Sequence, residues 1–501
     1  MTSDDGRPDD RPPDATRDPR ARAPLVARPG VVAGALAAAF LGVAAVGLFG
    51  SLPADTWPHL RDSIKFEYLG WYVQQGHRLY RDVWAVKPPL AFEITAVLAA
   101  LAGESVVRYH VLNLLANGVA VVLGAAAAAG IVHELTDDFP GAVVGGVAVF
   151  TLPYYTYRAL IGFKSKYFVV AAGLGCLYLA YRERPVAAGV AGALAVGFWQ
   201  LAVVFPACAL GLCWRTDGRD GAVRVLAAGA ATGGVVLLPV VLWGALPAMV
   251  AETLLTPLIV AERHAYAVRV RSVVRTIGTA LPVALVGLAG IGTGLVSGRR
   301  REWPLAVAVG WFTLQLLVLD FDNTPDVFPW LAVVAVGVGL AVAAARGSIP
   351  VDARVAGLGS PGRARTLAAA VLALAALSAA PIGWHGVATT DLTAPDTYDT
   401  DTRLDPDFAG AKTYNATEKQ YVYWNRVPLP TCRALGAYTQ TVLVNRAGLA
   451  EGRPWYEAPC GRFGPMWRAV RVEYGVVSGR GSGDGHTASE PAPASREWTD
   501  V

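Results

Sequence analysis

Apolar runs of nearly twenty residues recur along most of the chain, separated by short polar connectors. The runs at 31–51, 225–246 and 367–382 contain no charged residue. At 1.5 Å per residue, about 20 residues cross roughly 30 Å of hydrocarbon, so the pattern predicts membrane-spanning helices. Further runs lie near 88–103, 109–131, 140–157, 166–181, 186–213, 274–297, 303–319 and 326–345, for a total of about eleven spans. The run 186–213 is long for one helix and carries Trp199 and Gln200 near its centre, which predicts a broken helix there.

Composition agrees. Only 16% of the 501 residues are charged and 54% are hydrophobic, against about 25% charged in a soluble domain. The net charge of +4 comes with Arg residues gathered at the ends of apolar runs. That placement reads as membrane topology rather than nucleic-acid binding. Arg17, Arg20, Arg22 and Arg28 precede the first run and put the N-terminus in the cytoplasm. The polar loop 53–87 is then extracytoplasmic, and an odd number of spans returns the C-terminal part to the same side. Basic stretches at 299–301 and 346–365 fit the inside, and the acidic loop 320–326 fits the outside. Arg182 and Arg184 fall outside by simple alternation, against the rule, so parity between 140 and 213 stays open.

The expected architecture is an all-α polytopic membrane protein with a small extracytoplasmic C-terminal domain of mixed α/β structure. Residues 1–24 read as a disordered cytoplasmic tail, 25–388 as the transmembrane domain, 389–475 as the outer domain and 476–501 as a disordered tail. Alternating stretches after Gln420 and Gln440 predict short strands in the outer domain. Asn415-Ala-Thr there is an N-glycosylation acceptor pattern. Cys432 and Cys460 form a disulfide if that domain faces outward, whereas Cys176, Cys208 and Cys213 sit in apolar runs as small packing groups.

No phosphate-binding loop, dinucleotide fingerprint or zincin helix is present, which excludes a nucleotide-driven engine of those types. His59, His77, His110 and His133 have no partner four residues away, so a helical histidine metal site is not expected. The chemistry concentrates in the loop 53–87. Phe66, Leu69 and Val73 recur at helical spacing and predict an amphipathic helix over 62–73, lying on the membrane surface. Asp62 and Glu67 stand about 140° apart around that helix, so they need not share a pocket. A solvated helix with incidental acids is the bland alternative.

The loop continues with Tyr68, Trp71, Tyr72, Gly76, Tyr80 and Asp82, and ends in Lys87-Pro-Pro at the next apolar run. This succession resembles the first outer loop of the GT-C glycosyltransferases, most of all the haloarchaeal dolichyl-phosphate-mannose mannosyltransferases. A carboxylate that such enzymes often carry is missing at Ala85. The resemblance implies a GT-C helical bundle with a polyprenyl-phosphate-sugar donor and a lipid- or protein-linked glycan as acceptor. It implies Asp62 as the general base with Glu67 as second choice, and Lys87 near the carrier phosphate. Tyr68, Trp71, Tyr72 and Asp82 would then contact substrate.

Those residue types suit the reaction. An acceptor hydroxyl attacking an anomeric carbon must lose its proton, which a carboxylate takes. The departing phosphate needs its growing negative charge stabilised, which Lys, Arg or a divalent metal does. No cofactor is demanded, and a carboxylate-held divalent metal stays open without a motif behind it. Arg158, Lys164 and Lys166 grip phosphate if their loop lies outside and are topology signals if it lies inside. Glu262, Arg263 and His264 are weaker candidates. Rival readings are the same fold with another sugar or acceptor, a polytopic transporter or flippase, and a non-catalytic scaffold. A transporter predicts ionisable residues in mid-helix and repeat symmetry.

Overall fold

The computed structural model describes residues 28–50, 57–58, 63–83, 85–255, 266–296, 301–319, 324–348, 361–380, 392–393 and 423. Helices dominate them. In chain order these are α1 (Pro29–Gly50), α2 (Ser63–Gln74), α3 (Leu90–Ala102), α4 (Val106–Thr136), α5 (Phe139–Val147), α6 (Pro153–Ala159), α7 (Ser165–Tyr181) and α8 (Pro185–Phe198). Then come α9 (Val204–Leu242), α10 (Leu246–Val250), α11 (Tyr266–Ile277), α12 (Leu281–Val296), α13 (Trp303–Leu314), α14 (Phe328–Ala345) and α15 (Pro361–Ala379). Trp57 pairs with Thr393 and Pro58 with Leu392 in a two-residue antiparallel contact. The strands expected near 420 and 440, and the Cys432–Cys460 bridge, lie outside the described residues.

Among the described residues, six helical stretches are long and apolar enough to cross a membrane: Pro29–Gly50, Val106–Thr136, Gln200–Leu242, Tyr266–Leu295, Pro325–Ala345 and Gly362–Ala379. Large aliphatics on their outer faces stay uncovered, with Val46 76% and Val235 71% exposed, as a lipid-facing surface requires. Helix α14 runs through the middle, buried along nearly its whole length against α5 and α12. Small residues allow that closeness: Gly290 of α12 meets Gly337, and Gly141 of α5 meets Gly339.

Polar contacts sort the helix ends into two groups. At one end Arg182 bonds Glu134 at 2.9 Å, Tyr181 donates to the Arg301 carbonyl, and Arg346 bonds Asp138. Asp138 also caps α5 by accepting from the Gly141 N–H. This is the basic end, and Arg182 belongs to it. At the opposite end lie α2, the turn before α7, and the start of α14.

One expected span needs correction, and the break expected in another is present. The run 88–103 forms the 13-residue α3, short of a span and packed along α2. Thr95 donates to the Phe66 carbonyl, and α3 ends just before the part of α4 that carries Tyr109 and His110, themselves bound to Glu67. Both its ends therefore stay at the α2 end of the bundle. The run 186–213 is two segments: α8 stops at Trp199, which is extended, and the chain resumes as α9. Helix α9 then reverses at Gly218 (φ 63°, ψ −145°), which brings Gly221 back against Cys213.

Candidate functional site

Helix α2 is buried on nearly every side rather than lying amphipathic on a surface, with Phe66 stacked on Phe92 of α3 and close to Phe163. The same helix carries Glu67 inward to zero exposure. Its Oε1 accepts from the Phe163 N–H at 2.8 Å, and its Oε2 accepts from the Tyr423 hydroxyl at 2.5 Å. His110 Nδ1 lies 3.0 Å from Oε2, and the Glu67 carbonyl accepts from Tyr109. The second-choice acid is thus a four-way knot joining α2, α4, the turn 159–164 and the C-terminal part.

That turn is held from two sides. Asn117 donates to the Gly162 carbonyl at 2.6 Å and accepts from the Lys164 N–H at 3.2 Å. Gly162 adopts φ 136°, and a Cβ there would lie 2.6 Å from Ser63 Cβ and 2.7 Å from Glu67 Oε1. Only glycine fits both the conformation and the space. The pinning places Arg158, Lys164 and Lys166 at the end of the bundle occupied by the first loop, all three buried. Lys166 pairs with Asp326 at 3.2 Å and lies over the Trp199 ring. Asp62 lies outside the described residues; its neighbour Ser63 is buried against Gly162.

Beyond α2 the loop tightens. Asp82 accepts from Arg78 N, Nε and Nη2 at 2.8, 3.0 and 2.9 Å, and these bonds hold its carboxyl below the usual carboxylate range. Between them, Tyr80 is fully buried in the left-handed region (φ 64°), a strained conformation for a bulky residue. Its hydroxyl donates to the Lys87 carbonyl at 2.7 Å, and Arg81 bonds the Trp243 carbonyl at the end of α9. Lys87 is half-buried, followed by buried Pro88 and Pro89 at the start of α3. Tyr68, Trp71 and Tyr72 stack among themselves and on His77, with Tyr68 and Tyr72 buried. The structure thus ties Asp82 to a turn and packs two of the three aromatics inward.

Several residues central to this end were passed over in the sequence, His110 having been weighed only as a metal ligand. His110, Asn113 and Asn117 sit at spacings of three and four on α4, all buried, and that polar stripe was a readable signal. Glu252, a lone acid in an apolar stretch, is fully buried in a π-helical turn, Ala251–Leu255, and accepts from the Ala85 N–H at 2.8 Å. Its carboxyl thus bonds the backbone of the residue at which the resemblance leads one to miss a carboxylate. Burial pushes its carboxyl well above the usual range. Among the described residues, no three His, Cys, Asp or Glu side chains gather as a metal site would require.

Known proteins bear on this arrangement. Residues 76–238 match a family model described as DolP-mannose mannosyltransferase. Over 286 residues, 57% of the chain, the sequence is 32% identical to the dolichol phosphate-mannose mannosyltransferase of Haloferax volcanii. The match spans 63% of that relative's length. Among solved structures, ArnT from Cupriavidus metallidurans bound to undecaprenyl phosphate is similar at 15% identity and TM-score 0.46, over 88% of each chain. The Archaeoglobus fulgidus oligosaccharyltransferase in its apo form is similar at 14% identity and TM-score 0.45, over 70% of this chain and 56% of that one. The likeness read from the first loop is thus met by the sequence comparisons as well.

Proposed function

We propose that this chain is a membrane glycosyltransferase that moves a mannosyl group from a dolichyl-phosphate carrier to a glycan hydroxyl on the extracytoplasmic side. The observation that carries this reading is the pinning of Arg158, Lys164 and Lys166 against α2. It gathers three buried cations, Lys166 among them paired with Asp326, beside the first loop at one end of a lipid-exposed bundle. The sequence match at 76–238 spans Lys87, Asn117 and all three of these cations, which supports the same assignment.

The residues divide the work. The acceptor oxygen forms a bond to the anomeric carbon as the bond from that carbon to the phosphate oxygen breaks. Asp62 takes the acceptor proton, and the phosphate leaves as a monoester whose charge the cations balance. Glu67 positions: its oxygens are occupied by Phe163, Tyr423 and His110, so it holds the cationic turn in place. Lys87 meets the phosphate at headgroup depth, beside the N-terminus of α3, which itself favours an anion.

Contacts at the two ends support eleven crossings: α1, α4, α5 with α6, α7, α8, the two halves of α9, α11 with α12, α13, α14 and α15. Removing α3 and splitting 186–213 leaves the number unchanged. It also moves Arg182 and Arg184 to the cytoplasmic side with Arg301 and Arg346, as the positive-inside rule asks. The N-terminus is then cytoplasmic and the residues after 380 extracytoplasmic.

The test is reconstitution of the purified chain with radiolabelled dolichyl-phosphate mannose and glycan acceptors, with and without chelator. Wild type transfers label, and Asp62→Asn loses about 10²–10⁴-fold in rate. A folded preparation that uses no polyprenyl-phosphate sugar ends the reading.

A further inference from the structure

Three segments of irregular backbone meet at the α2 end. Trp199 interrupts α8 in an extended conformation, Ala251–Leu255 is π-helical, and Tyr80 occupies the left-handed region. They are in direct register with one another. Gln200 Nε2 donates to the Thr253 carbonyl at 3.0 Å, and the adjacent Glu252 accepts from the Ala85 N–H. Glu252 and Glu93 both lie close enough to Tyr80 to reinforce the rise that burial imposes on its phenol.

Polar capacity is left over at this junction. Glu252 has no exposure, and its Oε1 has no hydrogen-bond partner among the described residues. Gln200 Oε1 and Trp199 Nε1 are likewise buried without one. In an apolar bundle an unmet buried polar atom costs about 1–3 kcal/mol. Such a group persists where a ligand completes it. Hydroxyl-rich molecules suit a carboxyl oxygen, a carboxamide oxygen and an indole N–H, which between them accept and donate.

The flanking charge says which hydroxyls. Glu252 is fixed to Ala85, two residues before Lys87, and Gln200 follows Trp199, whose ring lies under Lys166. Both residues are thus linked, through Ala85 and through Trp199, to the stretches of chain that carry two cations assigned to the carrier phosphate. We propose that Glu252 and Gln200 form a subsite that recognises hydroxyls of the sugar directly attached to that phosphate. The proposal rests on the polyprenyl-phosphate-sugar reading above and extends it to two residues beyond the first loop.

Binding tests this without relying on turnover. Affinities of the purified, lipid-reconstituted chain for dolichyl-phosphate mannose and for bare dolichyl phosphate are compared in wild type, Glu252→Gln, Glu252→Ala and Gln200→Ala. Wild type prefers the sugar-bearing lipid. In Glu252→Ala and Gln200→Ala that preference shrinks about tenfold while bare-phosphate affinity holds, and Glu252→Gln, which keeps a hydrogen-bonding group, falls between. Folded variants with an unchanged preference overturn the subsite, as does a wild type that binds both lipids equally. Wild type that discriminates yet transfers no sugar overturns the transferase reading alone and leaves the subsite standing.

Discussion

A carboxylate without solvent exposure survives in an apolar bundle only where donors surround it, and Glu67 has them on both oxygens. Glu67→Gln puts an N–H against one of those donors and should lower stability by about 2–4 kcal/mol. Tyr423→Phe removes one donor and should cost about 1–2 kcal/mol. Thermal unfolding in detergent ranks the two, and equal midpoints for both variants and wild type would contradict the knot. Asp82 responds to pH in a definite direction. Arg78 depresses its folded pKa, so the stabilisation is present above the unfolded carboxylate value and fades as pH falls through the folded one. Protection of the 78–83 turn from hydrogen exchange should drop on acidification in wild type and stay flat in Asp82→Asn. Glu252 behaves in the opposite sense: a raised folded pKa means its burial penalty is absent at low pH and grows as pH rises. Glu252→Gln should therefore match or exceed wild-type stability near neutral pH.

Turns and helix breaks determine where these side chains meet. The 159–164 turn delivers Phe163 to Glu67 only because Gly162 takes φ 136° in contact with Ser63. Gly162→Ala should cost at least about 2 kcal/mol through conformation and collision together. It should also lower transfer activity by shifting Lys164 and Lys166. Gly218 has open space around it, so Gly218→Ala should cost only conformational strain, about 1–3 kcal/mol, with activity retained in the folded fraction. A comparison of melting midpoints and specific activity separates the two glycines. Trp199 was legible as a break because it sits with Gln200 in an otherwise apolar run. The reversal at Gly218 was legible too, because Arg215, Asp217, Arg219 and Asp220 form the polar gap between the runs 186–213 and 225–246.

Across the molecule, the two ends carry different chemistry: one gathers Arg182, Arg301 and Arg346, and the other gathers buried cations with Glu67 and Glu252. Single-cysteine labelling in cells tests that division. Cys176, Cys208 and Cys213 are buried and should stay silent, and Cys432 and Cys460 are replaced beforehand. Gln75→Cys should react with an impermeant reagent from outside. Arg184→Cys, exposed at the opposite end, should react only after permeabilisation. External labelling of Arg184→Cys would invert the assignment of α8 and all that follows it.

The helical, lipid-embedded character of this protein was determined by local pattern alone, because runs of apolar residues must satisfy their backbone inside hydrocarbon and have little choice but helix. The helix α2 and its Lys87-Pro-Pro exit were equally local, and so readable, whereas the burial of α2 on nearly every side was not. Which end of the bundle held Arg158, Lys164 and Lys166 was decided by Asn117 and Glu67, through hydrogen bonds spanning tens of residues that no window of sequence contains. Position 85 shows the same limit most directly: the carboxylate at its backbone comes from Glu252. Folding brings a side chain to a place from any point along the chain, and only the packed bundle records which one arrives.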